Sequence, residues 1–261
     1  MTEPTAARSS APLALDIRDL GLHFGALRAI DSVSLAVQVG ERHVLLGTNG
    51  AGKTSLFNTI SGDLRPSVGS IGLFGEDVTR IPSWRRARLG VARTYQSSLL
   101  FSALSVADNL YVAVRGARAG RFSLRREPAS AAARREAQAL AAQVGLAEHC
   151  DREVALLSHG QQRQLEIGMA LASRPRLLLL DEPAAGLSPA ERQMLIGLIA
   201  ALPPALTIVL IEHDMDVALA LADRVTVMKD GRVVLQGSPD EVRASPQVQL
   251  IYFGESLETA A

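Results

Sequence analysis

The stretch Gly47-Thr48-Asn49-Gly50-Ala51-Gly52-Lys53-Thr54 decides the fold of this chain. It matches the pattern G-x-x-x-x-G-K-[ST], follows an apolar run at residues 43–46 and leads into an apolar-periodic stretch at 55–60. This strand–loop–helix setting is typical of a phosphate-binding loop. The glycines let successive backbone N–H groups turn toward an anion, and the N-terminus of the following helix adds positive potential.

The types of the loop residues indicate their roles. Lys53 is predicted to reach the β- and γ-phosphates of a nucleotide, and the Thr54 hydroxyl to ligate Mg²⁺. Of the 27 basic residues, only Lys53 and Lys229 are lysines. In a chain that otherwise uses arginine, a lysine here indicates that a compact ammonium is required. The residues expected to hold the nucleotide are Gly47, Asn49, Gly50, Ala51, Gly52, Lys53, Thr54 and Ser55.

Composition excludes several classes of protein. Lys+Arg and Asp+Glu both total 27 of 261 residues, so no net field favours a nucleic-acid partner or an anionic lipid surface. The single cysteine, Cys150, excludes an intrachain disulfide and suits a reducing cytosol. No stretch approaches the roughly 18 consecutive apolar residues of a membrane span. Residues 1–12, rich in Ala, Ser, Thr and Pro, are predicted to be a disordered tail and not a signal peptide.

The N-terminal part of the chain is predicted to form short strands. Apolar–polar alternation predicts strands at 13–20 and 33–39, with a turn at 21–25 between them. Further strands are expected at 70–74 and at 91–95, the latter ending in Gln96. From residue 97 to 158 the pattern becomes helical and rich in Ala and Arg, which predicts an inserted helical subdomain. The basic segment 115–128 within it is interpreted as a solvated loop, with a binding patch as the less favoured alternative.

The C-terminal part predicts a buried parallel sheet. Residues 177–180 and 206–211 are continuous apolar runs, as in parallel strands covered on both faces. Ser188-Pro189-Ala190-Glu191 is a helix-capping box, and residues 229–232 form a hairpin turn. Alternating strands and helices around a phosphate loop indicate a doubly wound α/β sheet.

Two motifs complement the loop. Asp181 and Glu182 follow the first apolar strand, where Asp181 can hold Mg²⁺ through water and Glu182 can orient and deprotonate the attacking water. Leu157-Ser158-His159-Gly160-Gln161-Gln162 opens a helix, with Ser158 and Gln161 as a capping box. Such a capped helix start also presents N–H groups and a positive dipole end to an anion.

These motifs together resemble those of the ATP-binding-cassette (ABC) ATPases, whose signature is L-S-x-G-Q ahead of the acidic strand. The resemblance covers about residues 13–255 and implies ATP and Mg²⁺ as cofactors. Gln96 then corresponds to the loop glutamine that meets Mg²⁺ or the attacking water, and His213 to the switch histidine near the γ-phosphate. Phe24 falls where the family stacks an aromatic ring on adenine, and residues 185–188 resemble its dimer-contact loop. The signature residues expected to contact the nucleotide are Ser158, Gly160 and Gln161. The expected metal ligands are Thr54, Gln96 and Asp181. The expected catalytic residues are Glu182, His213 and Gln96.

The resemblance also implies the architecture. It predicts a P-loop NTPase (RecA-like) core with an antiparallel β subdomain and an inserted α-helical subdomain. The core is expected at 13–96 and 159–261, and the helical signature subdomain at 97–158. In this family two chains assemble head to tail, so that each ATP lies between the phosphate loop of one chain and the signature of the other. One copy of the motifs appears here, which implies a second ATP-binding subunit, identical or different.

Within the family the chain is similar to the ATP-binding subunit of branched-chain amino-acid importers. The similarity lies in residues 90–96, 104–110, 212–215 and 251–255, although Tyr95 stands where those importers usually carry Phe. It implies transmembrane permease partners, an indirect solute-binding protein and a peripheral position on the cytoplasmic face of the membrane. Residues 99–111 are predicted to form a helical docking surface for the permease, with core packing as the alternative.

Other classes fit less well. The ATP-binding subunits of urea, amide and lipopolysaccharide-export systems share many of these sequence segments, so the solute and the direction of transport stay open. A soluble ABC ATPase would resemble a fused double cassette or carry a long coiled-coil insertion. A GTPase would require an N-K-x-D motif that recognises guanine, which the sequence lacks. A simple kinase would not require Ser158–Gln161 or His213.

Overall fold

The structure is a computed structural model that describes residues 12–95, 100–118 and 131–254. The strands are β1 (Leu13–Phe24), β2 (Leu27–Gln38), β3 (Arg42–Gly47), β4 (Val68–Leu73), β5 (Glu76–Asp77), β6 (Val91–Arg93), β7 (Leu177–Asp181), β8 (Thr207–Glu212), β9 (Arg224–Lys229) and β10 (Arg232–Gly237). The helices are α1 (Lys53–Ser61), α2 (Ser83–Arg88), α3 (Val106–Arg118), α4 (Ala131–Gln143), α5 (His159–Leu171), α6 (Pro189–Ala200), α7 (Met215–Leu221), α8 (Pro239–Ala244) and α9 (Pro246–Gln249). Shorter helical turns lie at Ala147–His149, Val154–Leu156 and Leu250–Gly254.

A four-stranded antiparallel sheet forms the N-terminal layer, in the order β2-β1-β4-β5. The predicted turn at 21–25 is wrong, because β1 continues to Phe24 and pairs it with Leu27. The tight turn lies at Gly25, whose φ is 61°. Gly21 sits inside the strand, since a Cβ there would lie 2.7 Å from Cγ2 of Val68. The glycine thus permits a close approach between strands instead of a reversal of the chain.

A six-stranded sheet carries the phosphate loop, in the order β10-β9-β3-β8-β7-β6. Strands β6, β7, β8, β3 and β9 are parallel, and β10 joins β9 as an antiparallel edge. The carboxyl ends of β3, β7 and β8 therefore lie side by side. In an open parallel sheet this is the edge at which ligands bind.

The central sheet is buried on both faces. Leu45, Leu179 and Val209 face a cluster shared with α1 and the four-stranded sheet. Val44 and Leu178 face the opposite cluster, which contains residues of α3 to α7. Side chains alternate along a strand, so covering both faces requires strands that are apolar at every position. This explains the two continuous apolar runs in the sequence.

The helical layer consists of α3, α4 and α5, which pack on one another. The predicted helix at 99–111 is wrong in its first part, because α3 begins at Val106. The buried amide of Asn109 binds N–H and C=O of Phe101 and the carbonyl of Ser105, and so holds the preceding segment in a non-helical turn. The predicted loop at 115–128 is wrong at its start, because α3 continues to Arg118. Residues 119–130, which include the rest of the basic segment up to 128, lie outside the described residues, as do Gln96 and residues 1–11. The boundary between core and helical subdomain at 158/159 stays a prediction. No helix in the described ranges has the length and apolar character needed to cross a membrane.

Candidate nucleotide site

The phosphate loop connects β3 to α1 and is shaped by glycine. Gly52, with φ of 95°, is the N-cap of α1, and its α-carbon faces the backbone of Ala29 so closely that a Cβ would lie 2.5 Å from that carbonyl oxygen. Gly50 also adopts positive φ, at 81°. Both conformations are unfavourable for residues with a Cβ. The loop therefore adopts the tight curl expected from its sequence.

The loop forms one wall of a cavity of about 570 Å³. Glu182 lies on the wall of this cavity, together with parts of β2 and the turn between β9 and β10. The volume falls within the range of small-molecule sites. The lining residues are Leu27, Arg28, Ala29, Asn49, Gly50, Ala51, Gly52, Lys53, Thr54, Ser55, Glu182, Asp230 and Gly231. Phe24, the predicted adenine platform, is about half exposed and is not among them.

Lys53 is a buried ammonium in the floor of this cavity. Its Nζ donates to the carbonyl oxygens of Gly47 at 2.6 Å and Thr48 at 2.9 Å. Burial lowers the pKa of Lys53, and the charges of nearby acidic side chains, Glu182 foremost, oppose that shift. A cation with so little water around it interacts strongly with an incoming phosphate.

Asp181 is held by an arginine that the sequence analysis did not identify. Its Oδ2 accepts from Nη2 of Arg93 at 2.9 Å, and both side chains are almost completely buried. The other guanidinium nitrogen, Nη1, donates to Asn58 Oδ1 at 2.6 Å and contacts Asp63 Oδ2 at 3.3 Å. Arg93 therefore connects the end of β7 to helix α1. The only sequence signal for this contact is a charged residue in an otherwise apolar strand.

Glu182 and His213, both predicted to be catalytic, are brought together. Oε2 of Glu182 lies 3.5 Å from Nδ1 of His213. Glu182 has a positive φ of 44°, and its backbone N–H donates to the carbonyl of Ile211 at 3.1 Å. This conformation turns the side chain out of the sheet edge toward the cavity. The third predicted catalytic residue, Gln96, lies outside the described residues.

Glu212, which immediately precedes His213, is a second carboxyl group that the sequence analysis did not single out. It is buried, and one oxygen accepts from the N–H of Ala184 at 3.2 Å. Oε2 has no hydrogen-bond partner among the described residues. Burial raises the pKa of Glu212 to about 7, with the hydrogen bond from Ala184 opposing the shift and the charge of Glu182 adding to it. Burial thus favours the protonated form of Glu212 relative to an exposed carboxyl group.

The signature segment lies at a different cavity, of about 240 Å³. Ser158 is the N-cap of α5 and forms the expected capping box with Gln161. Gly160 and Gln161 line the same cavity. Lys53 does not, and no signature residue lines the phosphate-loop cavity in the described part of the chain. A single chain therefore presents the two halves of the predicted site at separate places.

The residues near the phosphate loop fit a magnesium ion held largely by nucleotide. Oδ1 of Asp181 is buried without a hydrogen-bond partner among the described residues, and Thr54 is an exposed residue that lines the cavity. The described residues contain no group of three or more His, Cys, Asp or Glu side chains able to hold a metal ion. Mg²⁺ characteristically uses one or two protein oxygens together with phosphates and water, and this donor set fits that pattern.

Comparison with known proteins agrees with this geometry. A protein-family model described as "ABC transporter" matches residues 30–185, which is more than half of the chain. The chain belongs to the ABC transporter family. It is 41% identical to the high-affinity branched-chain amino acid transport ATP-binding protein LivG of Salmonella typhimurium, over 95% of this chain and 100% of that protein. It is 39% identical to the corresponding protein BraF of Pseudomonas aeruginosa, over 93% of this chain and 98% of that one.

Solved structures give the same result. The ADP conformation of an ATP-binding cassette of an ABC transporter matches with a TM-score of 0.82 and 28% identity, over 93% of this chain and 99% of that chain. The predictions of an ABC ATPase, of a P-loop NTPase fold and of an ATP-binding role are confirmed. The roles of single residues in this ABC ATPase stay predictions. Arg93 and Glu212 are the residues near the phosphate loop that sequence reasoning missed.

Proposed function

We propose that this chain is the ATP-hydrolysing subunit of an ABC importer for branched-chain or related amino acids. The observation that carries the enzymatic part is the contact of His213 with Glu182, which itself lies on the wall of the cavity that contains Lys53. The importer and its solute class are supported by the names of LivG and BraF, which match this chain over nearly its whole length. Urea, amide or lipopolysaccharide-type transport, and a soluble ABC ATPase, are the alternatives.

The geometry suggests a division of labour within the site. Backbone N–H groups of the loop and the ammonium of Lys53 bind the phosphates of ATP. Glu182 accepts a proton from the attacking water, and His213 orients the Glu182 carboxylate by contact with Oε2. Asp181 and Thr54, with Gln96, would hold Mg²⁺, which when bound neutralises charge on the β- and γ-phosphates.

The second half of each site comes from another ABC subunit. The signature residues Ser158 and Gly160 lie at a cavity that does not include Lys53. A head-to-tail dimer would place the N-terminus of α5 against the terminal phosphate, because a helix N-terminus with free N–H groups attracts anions. Hydrolysis would weaken that contact and open the dimer.

The proposed transporter also contains permease chains. No described helix could cross a membrane, so transport requires transmembrane partners. We place the chain peripherally on the cytoplasmic face, in contact with two permease subunits. A solute-binding protein would act on the opposite side and affect this chain only through the permeases.

The enzymatic proposal is tested with two variants of the full chain. Glu182→Gln is expected to retain ATP affinity and lose turnover by a factor of about 10³, as removal of a general base does. Lys53→Ala is expected to lose ATP binding, measured with a fluorescent nucleotide. Glu241→Gln, a change of the same kind at an exposed position of helix α8, serves as the control. Wild-type turnover in Glu182→Gln would contradict the assigned base.

The solute is tested in membrane vesicles that contain this chain and its co-purified permeases. Leucine uptake that requires ATP and is lost with Glu182→Gln is the expected result. Uptake of urea or an amide without leucine would favour the first alternative. Failure of any hydrophobic chain to co-purify from membranes would favour a soluble ABC ATPase.

A further inference from the structure

The carboxylate of Glu191 accepts hydrogen bonds from groups at the start of two helices, α5 and α6. Oε1 accepts from the Ser158 hydroxyl at 2.8 Å and from the N–H of Gly160 at 3.0 Å. Oε2 accepts from the hydroxyl of Ser188 at 2.8 Å and from its N–H at 3.1 Å. Four donors thus converge on one carboxylate, and two of them are the signature groups predicted to bind ATP.

Helix capping accounts for only half of these contacts. Glu191 is residue N3 of α6 and completes a capping box with Ser188, which uses Oε2. The same sequence pattern recurs in Ser238-Pro239-Asp240-Glu241 at the start of α8. There the hydrogen bonds of Glu241 connect it to its own N-cap, Ser238. The bonds from Ser158 and Gly160 to Glu191 are therefore additional to what the box requires.

The additional contacts form an anion site that is filled by the protein itself. A serine hydroxyl, a glycine N–H and the N-terminus of the 13-residue helix α5 meet there. Gly160 permits the close approach, since a Cβ at this position would lie 2.9 Å from Oε1 of Glu191. Hydrogen bonds from Ser188 and Ser158 lower the pKa of Glu191 to about 2, so the group is ionised at neutral pH.

We propose that Glu191 competes with the terminal phosphate of ATP for the hydroxyl of Ser158 and the N–H of Gly160. This inference rests on the proposed shared site, in which a second copy of the chain delivers that phosphate. The carboxylate and the phosphate cannot both occupy these donors, because two anions at hydrogen-bonding distance from the same groups repel each other. Each closure of the dimer must therefore displace Oε1 of Glu191. ADP lacks the terminal phosphate and therefore does not compete with Glu191 for these donors, so the effect of Glu191 on dimerisation is specific to ATP.

The test compares ATP-driven dimerisation in the Glu182→Gln background, where hydrolysis is stopped. Sedimentation velocity gives the ATP concentration at which half of the chain is dimeric. Adding Glu191→Gln keeps an acceptor for the α6 cap but removes the competing charge, and is expected to lower this concentration about tenfold. Adding Glu241→Gln, the matched change in the identical box of α8, is expected to leave it unchanged. Glu191→Asp, which keeps the charge but shortens the side chain, is expected to shift it in the same direction as Gln.

The outcomes separate this inference from the proposed function. If Glu182→Gln dimerises with ATP and neither Glu191 variant lowers the midpoint, the competition is overturned while the shared site stands. If Glu182→Gln stays monomeric at every ATP concentration, the site shared by two copies of this chain is overturned together with the competition. Dimerisation of a Glu191 variant with ADP as readily as with ATP would also contradict the inference, because relief of general repulsion would then explain the effect.

Discussion

Glu212→Gln should make the stability of the chain less dependent on pH. The carboxyl group of Glu212 is buried at the end of β8, and burial raises its pKa to about 7 from the ordinary 4.5. The folded state therefore binds a proton more tightly than the unfolded state does. Stability from this group is present below pH 4.5 and is lost as the pH rises through 7, because the buried group must then ionise.

The size of the effect follows from the pKa difference. A shift of one pKa unit corresponds to about 1.4 kcal/mol, so the change from 4.5 to about 7 costs about 3 kcal/mol at alkaline pH. About 2 kcal/mol of this falls between pH 5.5 and 8.5. Glutamine retains the acceptor for the N–H of Ala184 and cannot ionise. The variant should therefore gain about 2 kcal/mol relative to wild type over that interval.

Urea unfolding at pH 5.5, 7 and 8.5 measures this difference directly. The difference in unfolding free energy between variant and wild type at each pH cancels the contribution of every other titrating group that behaves alike in both proteins. Glu241→Gln serves as the control, since its exposed carboxyl group has a lowered pKa and stays ionised throughout. A difference between Glu212→Gln and wild type that is the same at all three pH values would refute the reasoning.

Two further predictions concern buried arginines. Arg86 is 1% exposed and donates to several carbonyls, among them those of Ile60 and Val78. Arg86→Met leaves these acceptors without donors and should lower the free energy of unfolding in urea by about 3 kcal/mol. A loss below about 1 kcal/mol would contradict this structural role. Arg93→Met should cost about 3 kcal/mol because it leaves the Asp181 carboxylate buried without its ion pair, and adding Asp181→Asn should recover part of that loss. Additive losses in the double variant would show that the two side chains do not interact.

Local patterns predicted the parts of the fold that local forces determine. The phosphate loop, the apolar strands β7 and β8 and the capped helices α6, α8 and α9 each carry their signal within a few residues. The errors arose where contacts that the hydrophobic pattern does not contain decide the local structure. Gly21 continues a strand because Val68 approaches it, and residues before Val106 are not helical because Asn109 binds their backbone.

The same distinction applies to the site. Lys53, Glu182 and His213 stand in motifs whose order along the chain indicates their chemistry. Arg93 and Glu191 are defined by contacts with residues 88 and 33 positions away, which no spacing rule in a single sequence contains. Glu212 lies beside a predicted residue, yet its raised pKa comes from burial that only the packed structure supplies.

The shared nucleotide site is tested most directly by mixing two defective chains. One chain carries Lys53→Ala and the other Ser158→Arg, both with Glu182→Gln to retain bound ATP. Each chain alone should retain no ATP after rapid gel filtration. Their mixture should retain one ATP per pair, because an intact Lys53 loop then meets an intact Ser158 helix. A mixture that retains no more than its separate components would contradict a site built from two copies of the chain.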